Sequence, residues 1–369
     1  MARPLYADID LDALRHNYRI ARDLAPSSQA LAVIKADAYG HGAVACARAL
    51  EDLAPAFAVA SIDEASVLRE AGIAGPIVLL EGIFARDELE RVDALGLWLV
   101  VHSEWQVAAL LDYRPRRPIP TWLKIDSGMH RLGFDPVRAE AIWQRLRAAP
   151  LRVTALHLMT HFATADALAP DCFLHQLGIV EALAQRLDAP TCLANSPAML
   201  AWPQAHGAWN RPGVMLYGSN PLEGENDAAR ELRPVMTLRS ELIAVREIAA
   251  GETVGYGGRW RAPRASRIGV VAAGYGDGYD RHAADGTPVL VDGQRCSLAG
   301  KVSMDMLTVD ITDLPEADIG SRVVLWGEDA DGTRLSIDEV ARHCDTISYT
   351  LLTGVLPRVP RRYRQLDRE

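Results

Sequence analysis

What the chain lacks narrows its identity before any motif is considered. No uninterrupted apolar stretch approaches the roughly 20 residues needed to cross a bilayer, which argues against a membrane-spanning helix. The opening MARPLYADIDLDALRHN carries no apolar export core. Cysteine is scarce: Cys46, Cys172, Cys192, Cys296 and Cys344 are odd in number and far apart, so neither a disulfide framework nor a metal site is expected, and a reducing cytoplasm fits best. Positive charge is in deficit, with 39 Lys and Arg against 48 Asp and Glu for a net −9, which argues against a nucleic-acid partner. The one basic run, Arg358 to Arg368, contains Asp367, ends at Glu369 and reads as a solvated terminus. Missing too is a G-x-G-x-x-G turn between a strand and a helix, which counts against a nicotinamide cofactor.

What is there is an ordinary folded composition, 49% hydrophobic and 24% charged, over 369 residues. That length exceeds the roughly 250–300 residues at which single cores stop growing, so one large domain and a smaller one are expected. From residue 30 to about 218, short apolar, β-branched runs alternate with segments of helical period. The expected strands are Ala30–Asp37, Ala56–Ile62, Pro76–Ile83, Leu97–Ser103, Thr121–Ser127, Val153–Ala163, Thr191–Ser196 and Gly213–Tyr217. Eight such units predict a (β/α)8 barrel over residues 8–230. A leading helix from Asp10 to Leu24 has Asp10 as its N-cap and Leu11, Leu14, Tyr18 and Ala21 on one face. Beyond residue 230, strands separated by Gly, Pro and Asp turns predict a mostly-β domain over 231–369, with strand 1–7 joining it.

In such a barrel the reactive groups sit at the C-terminal ends of the strands. Lys35 and Tyr39 follow strand one, Lys124 and Arg131 end strand five, His161 ends strand six, Asn195 and Ser196 end strand seven, and Arg211 and Gly213 enter strand eight. A lysine at the end of an apolar strand is partly desolvated, which favours the neutral amine as a nucleophile toward a carbonyl. On position alone each residue also has a structural reading: Lys35 reaching solvent, Ser196 capping a turn, His161 and Tyr349 as satisfied core residues, Met304 and Met306 packing a strand.

The stretches VIKADAYGHG, WLKIDSGMHRLGF, MTHFATAD, LANSPAML, WNRPGVMLYG, VGYGGRW, GYGDGYDRH, VSMDM and ISY, in that order and spacing, resemble the alanine racemase family across nearly the whole chain. The resemblance implies a pyridoxal 5'-phosphate enzyme of fold type III interconverting L- and D-alanine, either for peptidoglycan supply or for alanine catabolism. Lys35 would carry the cofactor as a Schiff base. Tyr39, Asn195, Ser196, Tyr349 and the backbone amides of Gly213 and Val214 would hold it, the amides and hydroxyls gripping its phosphate. Arg211 would face the pyridine nitrogen, and a guanidinium that keeps its proton leaves that nitrogen unprotonated.

Racemisation needs a base on each face of a planar intermediate. The resemblance assigns Lys35 to the D-enantiomer and Tyr256, from the other subunit of a homodimer, to the L-enantiomer. A free phenol titrates near 10, so His161 is expected as the partner of Tyr256. Arg131 and the Met304 amide would receive the substrate carboxylate, with Asp305 fixing the Met304 loop. Lys124 stands where many members carry a carbamylated lysine, and Tyr275, Tyr279 and Arg281 where the entrance passage narrows. Gly276 and Asp280 replace the alanine and proline common there, while Cys192, Ser303 and Thr353 also depart from other members. Alternative readings are a broad-specificity racemase or basic amino-acid decarboxylase of the same fold, or a non-catalytic pyridoxal-phosphate-binding barrel; residues 231–369 and Tyr256 speak against the last.

Overall fold

The computed structural model describes residues 3–167 and 170–364. They form two compact units: one comprises Leu14–Ala38 and Gly42–Leu232, the other the N-terminal segment up to Ala13, Tyr39–His41 and the chain from Arg233 onward.

The first unit is an eight-stave parallel barrel. Its first stave is split at Leu31: Gln29–Ala30 pairs with Trp209–Asn210, and Ala32–Val33 pairs with Phe57–Val59. The ladder then runs through Ile77–Leu79, Trp98–Val101, Ile119–Lys124, Val153–Met159 and Thr191–Cys192 back to Trp209. Staves such as Phe57-Ala58-Val59 and Ile77-Val78-Leu79 are wholly buried, as expected of strands covered on both faces. Trp98 and Trp209, from opposite staves, meet edge-on at 5.7 Å between ring centroids, and Trp122 lies 5.8 Å from Trp209. These indoles fill the barrel as a packed core rather than a pore.

Two strand expectations are corrected. The eighth stave is Trp209–Asn210, whereas Val214–Tyr217, expected as strand, is a 3-10 turn. Pro212 has no N–H to give to a ladder, and Gly213 leaves the extended region at φ −121°, ψ −99°. The first stave ends at Val33 instead of running to Asp37, because the chain turns left-handed after Lys35.

The leading helix spans Leu11–Asp23, with the Asp10 carboxylate accepting from the Ala13 amide at 2.8 Å. Its face of Leu11, Leu14, Tyr18 and Ala21 is buried, and the Tyr18 hydroxyl donates to the Ala30 carbonyl at 2.7 Å. The helix Ile62–Glu70 starts at Ser61, whose hydroxyl accepts from the Glu64 amide. Among the described residues, no helix is long and apolar enough to cross a membrane, and no cluster of three or more His, Cys, Asp or Glu could hold a metal ion.

The second unit is built on the 13-residue strand Met236–Ile248. It pairs first with Arg322–Glu328 and then with Ser266–Val271, shifting register at Leu238/Arg239 and Leu242/Ala244. Through Leu307–Asp310, Gln294–Leu298 and Pro288–Val291 the ladder returns to Arg322–Glu328, closing a six-stranded antiparallel barrel. Tyr6–Asp10 adds to the outside of Met236–Arg239, and Arg361–Arg364 adds in parallel to Ala7–Asp10. The basic run is therefore not simply a solvated terminus. Arg364 donates to Asp8 at 2.8 Å, and the Arg362 guanidinium lies 3.7 Å from the centre of the Tyr6 ring. Residues 365–369, with Asp367, Arg368 and Glu369 among them, lie outside the described residues. Helices Ile337–His343 and Ser348–Gly354 complete the unit.

Candidate active site

Lys35 opens a left-handed helical turn. Ala36, Asp37, Ala38 and Tyr39 have φ of 52°, 52°, 53° and 53°, and Gly40 follows at 80°. Each non-glycine residue there costs roughly 1–2 kcal/mol relative to the right-handed form, so the surroundings must hold the turn. The Glu64 carboxylate accepts from the Ala36 amide at 2.7 Å, and the Asp37 carboxylate accepts from the Ala43 amide at 2.7 Å. A backbone kept this far from its preference marks the segment after Lys35 as more than a connector.

Around the same mouth the barrel collects positive charge. Lys124, at the end of the fifth stave, is buried; burial first, then the charges of Arg211, Arg131 and Lys35, bring its amine down to about 8, against a small opposing pull from Glu81. Arg211 is buried too and is held by its two Nη atoms. One donates to the Cys192 carbonyl at 2.7 Å and the Cys192 sulfur at 3.2 Å; the other donates to the carbonyls of Thr160 at 2.7 Å and Leu193 at 3.2 Å. That second Nη also lies 3.4 Å from His161 Nδ1. Facing a guanidinium, Nδ1 presents its lone pair rather than a proton, which puts the ring proton on Nε2. Burial, then Arg211, Arg131, Lys124 and Lys35, hold His161 well below the usual imidazole value, so it is neutral at neutral pH. Arg131 is exposed on a loop shaped by Asp126, which accepts from the Gly128 and His130 amides. Lys124, Asp126, Met129, Arg131 and His161 line one recess.

Next to this cluster stand the anion-holding candidates of the barrel. Asn195 caps the helix Ser196–Ala201 by accepting from the Ala198 amide. The buried Ser196 hydroxyl accepts from the Gly213 amide at 2.8 Å and the Met215 amide at 3.3 Å. Val214 opens the 3-10 turn Val214–Tyr217 and is buried. Ser196, Gly213 and Val214 thus come together.

The remaining candidates belong to the β unit. Tyr39 is buried, with its phenol pushed up to about 12 by burial, and its ring centroid lies 5.9 Å from that of Tyr349. Tyr256 projects from a glycine-flanked turn, Gly255 and Gly257 taking φ of 74° and 72°, and is 68% exposed. Met304 is 53% exposed; its carbonyl accepts from the Gly276 amide at 2.8 Å, and the Asp305 carboxylate accepts from Arg358 at 2.7 Å. Arg281 lies over the exposed Tyr275 ring at 5.9 Å. Tyr279 departs from its expected place in an entrance passage: it is 1% exposed and stacked on Trp326 at 6.0 Å. The left-handed Gly278, at φ 102°, turns the chain between the exposed Tyr275 and Tyr279 and leaves Tyr279 in the apolar core.

Three features went unread in the sequence. Cys192 takes part in holding Arg211, which no pattern signals. The buried Gln106 donates to the carbonyls of Glu81 at 3.2 Å and Ile83 at 2.8 Å and accepts from the His102 amide at 2.9 Å, tying the loops after staves three and four. Asp277, in GYGDGYDRH, is buried and doubly paired with arginines; a lone acid between glycines was the available signal.

A parallel barrel with clustered cations and a neutral histidine at its mouth, joined in one chain to an antiparallel β unit, defines a class of two-domain enzyme. Comparison with known proteins gives the family. The profile of the alanine racemase N-terminal domain matches residues 9–221, and that of the C-terminal domain matches residues 235–363. The alanine racemase of Chromohalobacter salexigens is 74% identical over 367 residues, covering 100% of both chains. A Pseudomonas putida protein named as a catabolic alanine racemase is 53% identical, covering 98% of this chain and 99% of its own. The crystal structure of the biosynthetic alanine racemase from Pseudomonas aeruginosa superposes with a TM-score of 0.94 at 50% identity, covering 98% of this chain and 100% of that one. The chain belongs to the alanine racemase family, and with it to the isomerases.

Proposed function

We propose that this chain interconverts L- and D-alanine, with pyridoxal 5'-phosphate held through the Lys35 amine and with Lys35 and Tyr256 carrying the α-proton on opposite faces of the substrate. The observation that carries this reading is the convergence of Lys35, Lys124, Arg131 and Arg211 on one barrel mouth, where Glu81 is the acid that opposes them at Lys124. Such an excess of cation, with Lys124 and Arg211 buried, suits an anionic cofactor and an anionic substrate. When bound, the cofactor supplies an electron-withdrawing ring that acidifies the substrate's α C–H.

The residues divide the remaining work. The Ser196 hydroxyl, the Val214 amide, Asn195, Tyr39 and Tyr349 hold the cofactor, the hydroxyls and amides at its phosphate, and the Gly213 amide, which donates to Ser196 Oγ, reaches that phosphate as a shared donor. Both Nη atoms of Arg211 are committed to the protein, which leaves its Nε–H to face the pyridine nitrogen. Arg131 and the Met304 amide bind the carboxylate of alanine. Lys124, with its amine near 8, has the neutral fraction needed to take up carbon dioxide as a carbamate, which would turn a neighbouring repulsion of Arg131 into an attraction.

The exposed Tyr256 and Met304 act in the site of a second copy, so the enzyme is a homodimer with shared sites. There the Nε2–H of neutral His161 donates to the phenolic oxygen of Tyr256 and supports its anion. Tyr275 and Arg281 flank the entrance. Purified enzyme should absorb visible light, bleach on borohydride treatment with the reduced label on Lys35, and abolish the circular dichroism of L-alanine. A label on any other lysine, or steady dichroism, contradicts the assignment.

A further inference from the structure

Asp277 lies in a glycine-rich turn of the β unit, and its side chain is 1% exposed. Four donors from three residues meet that carboxylate. Arg3 grips it with both Nη atoms, at 2.6 and 2.8 Å; Arg358 Nε donates at 2.7 Å; and the Gly274 amide closes the turn at 2.8 Å. Burial alone would push the carboxyl up, but these donors more than offset it and hold Asp277 below the usual carboxylate range.

The two arginines do not stop at Asp277. Arg3 Nη2 also donates to the Asp305 carbonyl at 2.7 Å, and Arg358 Nη2 donates to the Asp305 carboxylate at 2.7 Å. One buried acid, through two guanidiniums, therefore fixes the backbone and the side chain of the residue that follows Met304. The two loops are also laced directly. The Tyr275 amide donates to the Ser303 carbonyl at 3.0 Å, and the Gly276 amide to the Met304 carbonyl at 2.8 Å. Their approach is so close that a Cβ on Gly274 would meet the Ser303 carbonyl oxygen at 2.3 Å, and one on Gly276 would meet Arg358 Nη2 at 2.9 Å. The glycine at 276, where alanine is common in the family, makes room for the Arg358 guanidinium.

We propose that Asp277 is the positioning residue of the substrate-carboxylate loop: through Arg3 and Arg358 it sets the orientation of the Met304 amide and ties it to the loop bearing Tyr275. This rests on the reading that the Met304 amide receives the carboxylate of alanine. Arg3 and Arg358 belong to the same device, which gives the N-terminal arm and the segment around residue 358 a function in substrate binding rather than in stability alone. An amide aimed by a rigid network keeps its geometry while the substrate enters; an amide on an untethered loop must be ordered by the substrate itself.

The test uses the holoenzyme. Asp277→Asn should raise the KM for L-alanine and the Ki for propionate, which keeps the substrate's carboxylate without its amine, by roughly tenfold each, with kcat changed less than about threefold. Arg3→Met and Arg358→Met, at side chains 36% and 43% exposed, should shift both constants the same way and combine non-additively, with Arg358→Lys recovering part of the loss. These two variants carry the test if Asp277→Asn does not fold. Met304→Pro, which deletes the amide hydrogen, separates the two claims. Unchanged propionate affinity in Met304→Pro defeats the carboxylate reading itself. Affinity lost in Met304→Pro but kept in Asp277→Asn and both arginine variants, or a fall in kcat at constant KM and Ki, overturns the role of Asp277.

Discussion

The barrel mouth and the β unit present their candidate residues in opposite conditions. At the mouth the states of three groups are set within the chain: Arg211 is buried and pinned by carbonyls, Lys124 is brought down to about 8, and His161 is neutral with its proton on Nε2. On the β unit, Tyr256 and Met304 are 68% and 53% exposed. A phenol in water is a poor base at neutral pH, and an amide in water already has a hydrogen-bond partner. The contrast teaches that one half of the proposed machinery is finished by folding, whereas the other half acquires its chemistry only on being covered.

The largest effect expected from this contrast is at Tyr256. Tyr256→Phe should slow the exchange of the α-proton of L-alanine by about a thousandfold while leaving exchange from D-alanine much less affected, as measured by deuterium incorporation. Equal losses from both enantiomers would break the division of labour. Next comes Lys124. Its folded value lies below the unfolded value near 10.5, so the folded chain carries a buried charge penalty that is full below pH 8 and relieved as pH rises from 8 toward 10.5. Lys124→Met should therefore raise the melting temperature of cofactor-free protein by a few degrees at pH 7 in buffer free of carbon dioxide, with the gain shrinking above pH 8, while KM for alanine rises. A gain independent of pH would contradict the electrostatic account of the mouth. The smallest effect belongs to Tyr279, whose buried hydroxyl has no hydrogen-bond partner among the described residues. Tyr279→Phe should leave KM unchanged and the melting temperature equal or slightly higher; a raised KM would return Tyr279 to the entrance passage.

Much of this was legible in the sequence. Alternating apolar runs and helical segments predicted the barrel because wholly buried staves such as Phe57-Ala58-Val59 leave an unambiguous apolar signature. The grouping of Lys124, His161, Ser196 and Arg211 followed from their positions at strand ends. What escaped reading depended on backbone conformation and long-range pairing. No propensity announces four left-handed residues in Ala36–Tyr39, since their strain is tolerated only in the folded surroundings. The eighth stave was misplaced because the apolar run Val214–Tyr217 fits a buried 3-10 turn as well as a strand, and Pro212 was the cue against the ladder. Arg364 looked like solvated charge because its partner Asp8 is 356 positions away. The role of Asp277 is hidden in the sequence for the same reason, its partner Arg3 being 274 positions distant.

The central claim is that a complete site takes its amine from one chain and its phenol from another. Lys35→Ala and Tyr256→Phe chains, each inactive alone, should be unfolded together, refolded and assayed for loss of L-alanine dichroism. Random pairing makes half the dimers mixed, each with one intact site of two, so about a quarter of wild-type activity should return. Activity no greater than that of the separate variants, in a mixture shown by mass spectrometry to contain mixed dimers, would contradict the shared site.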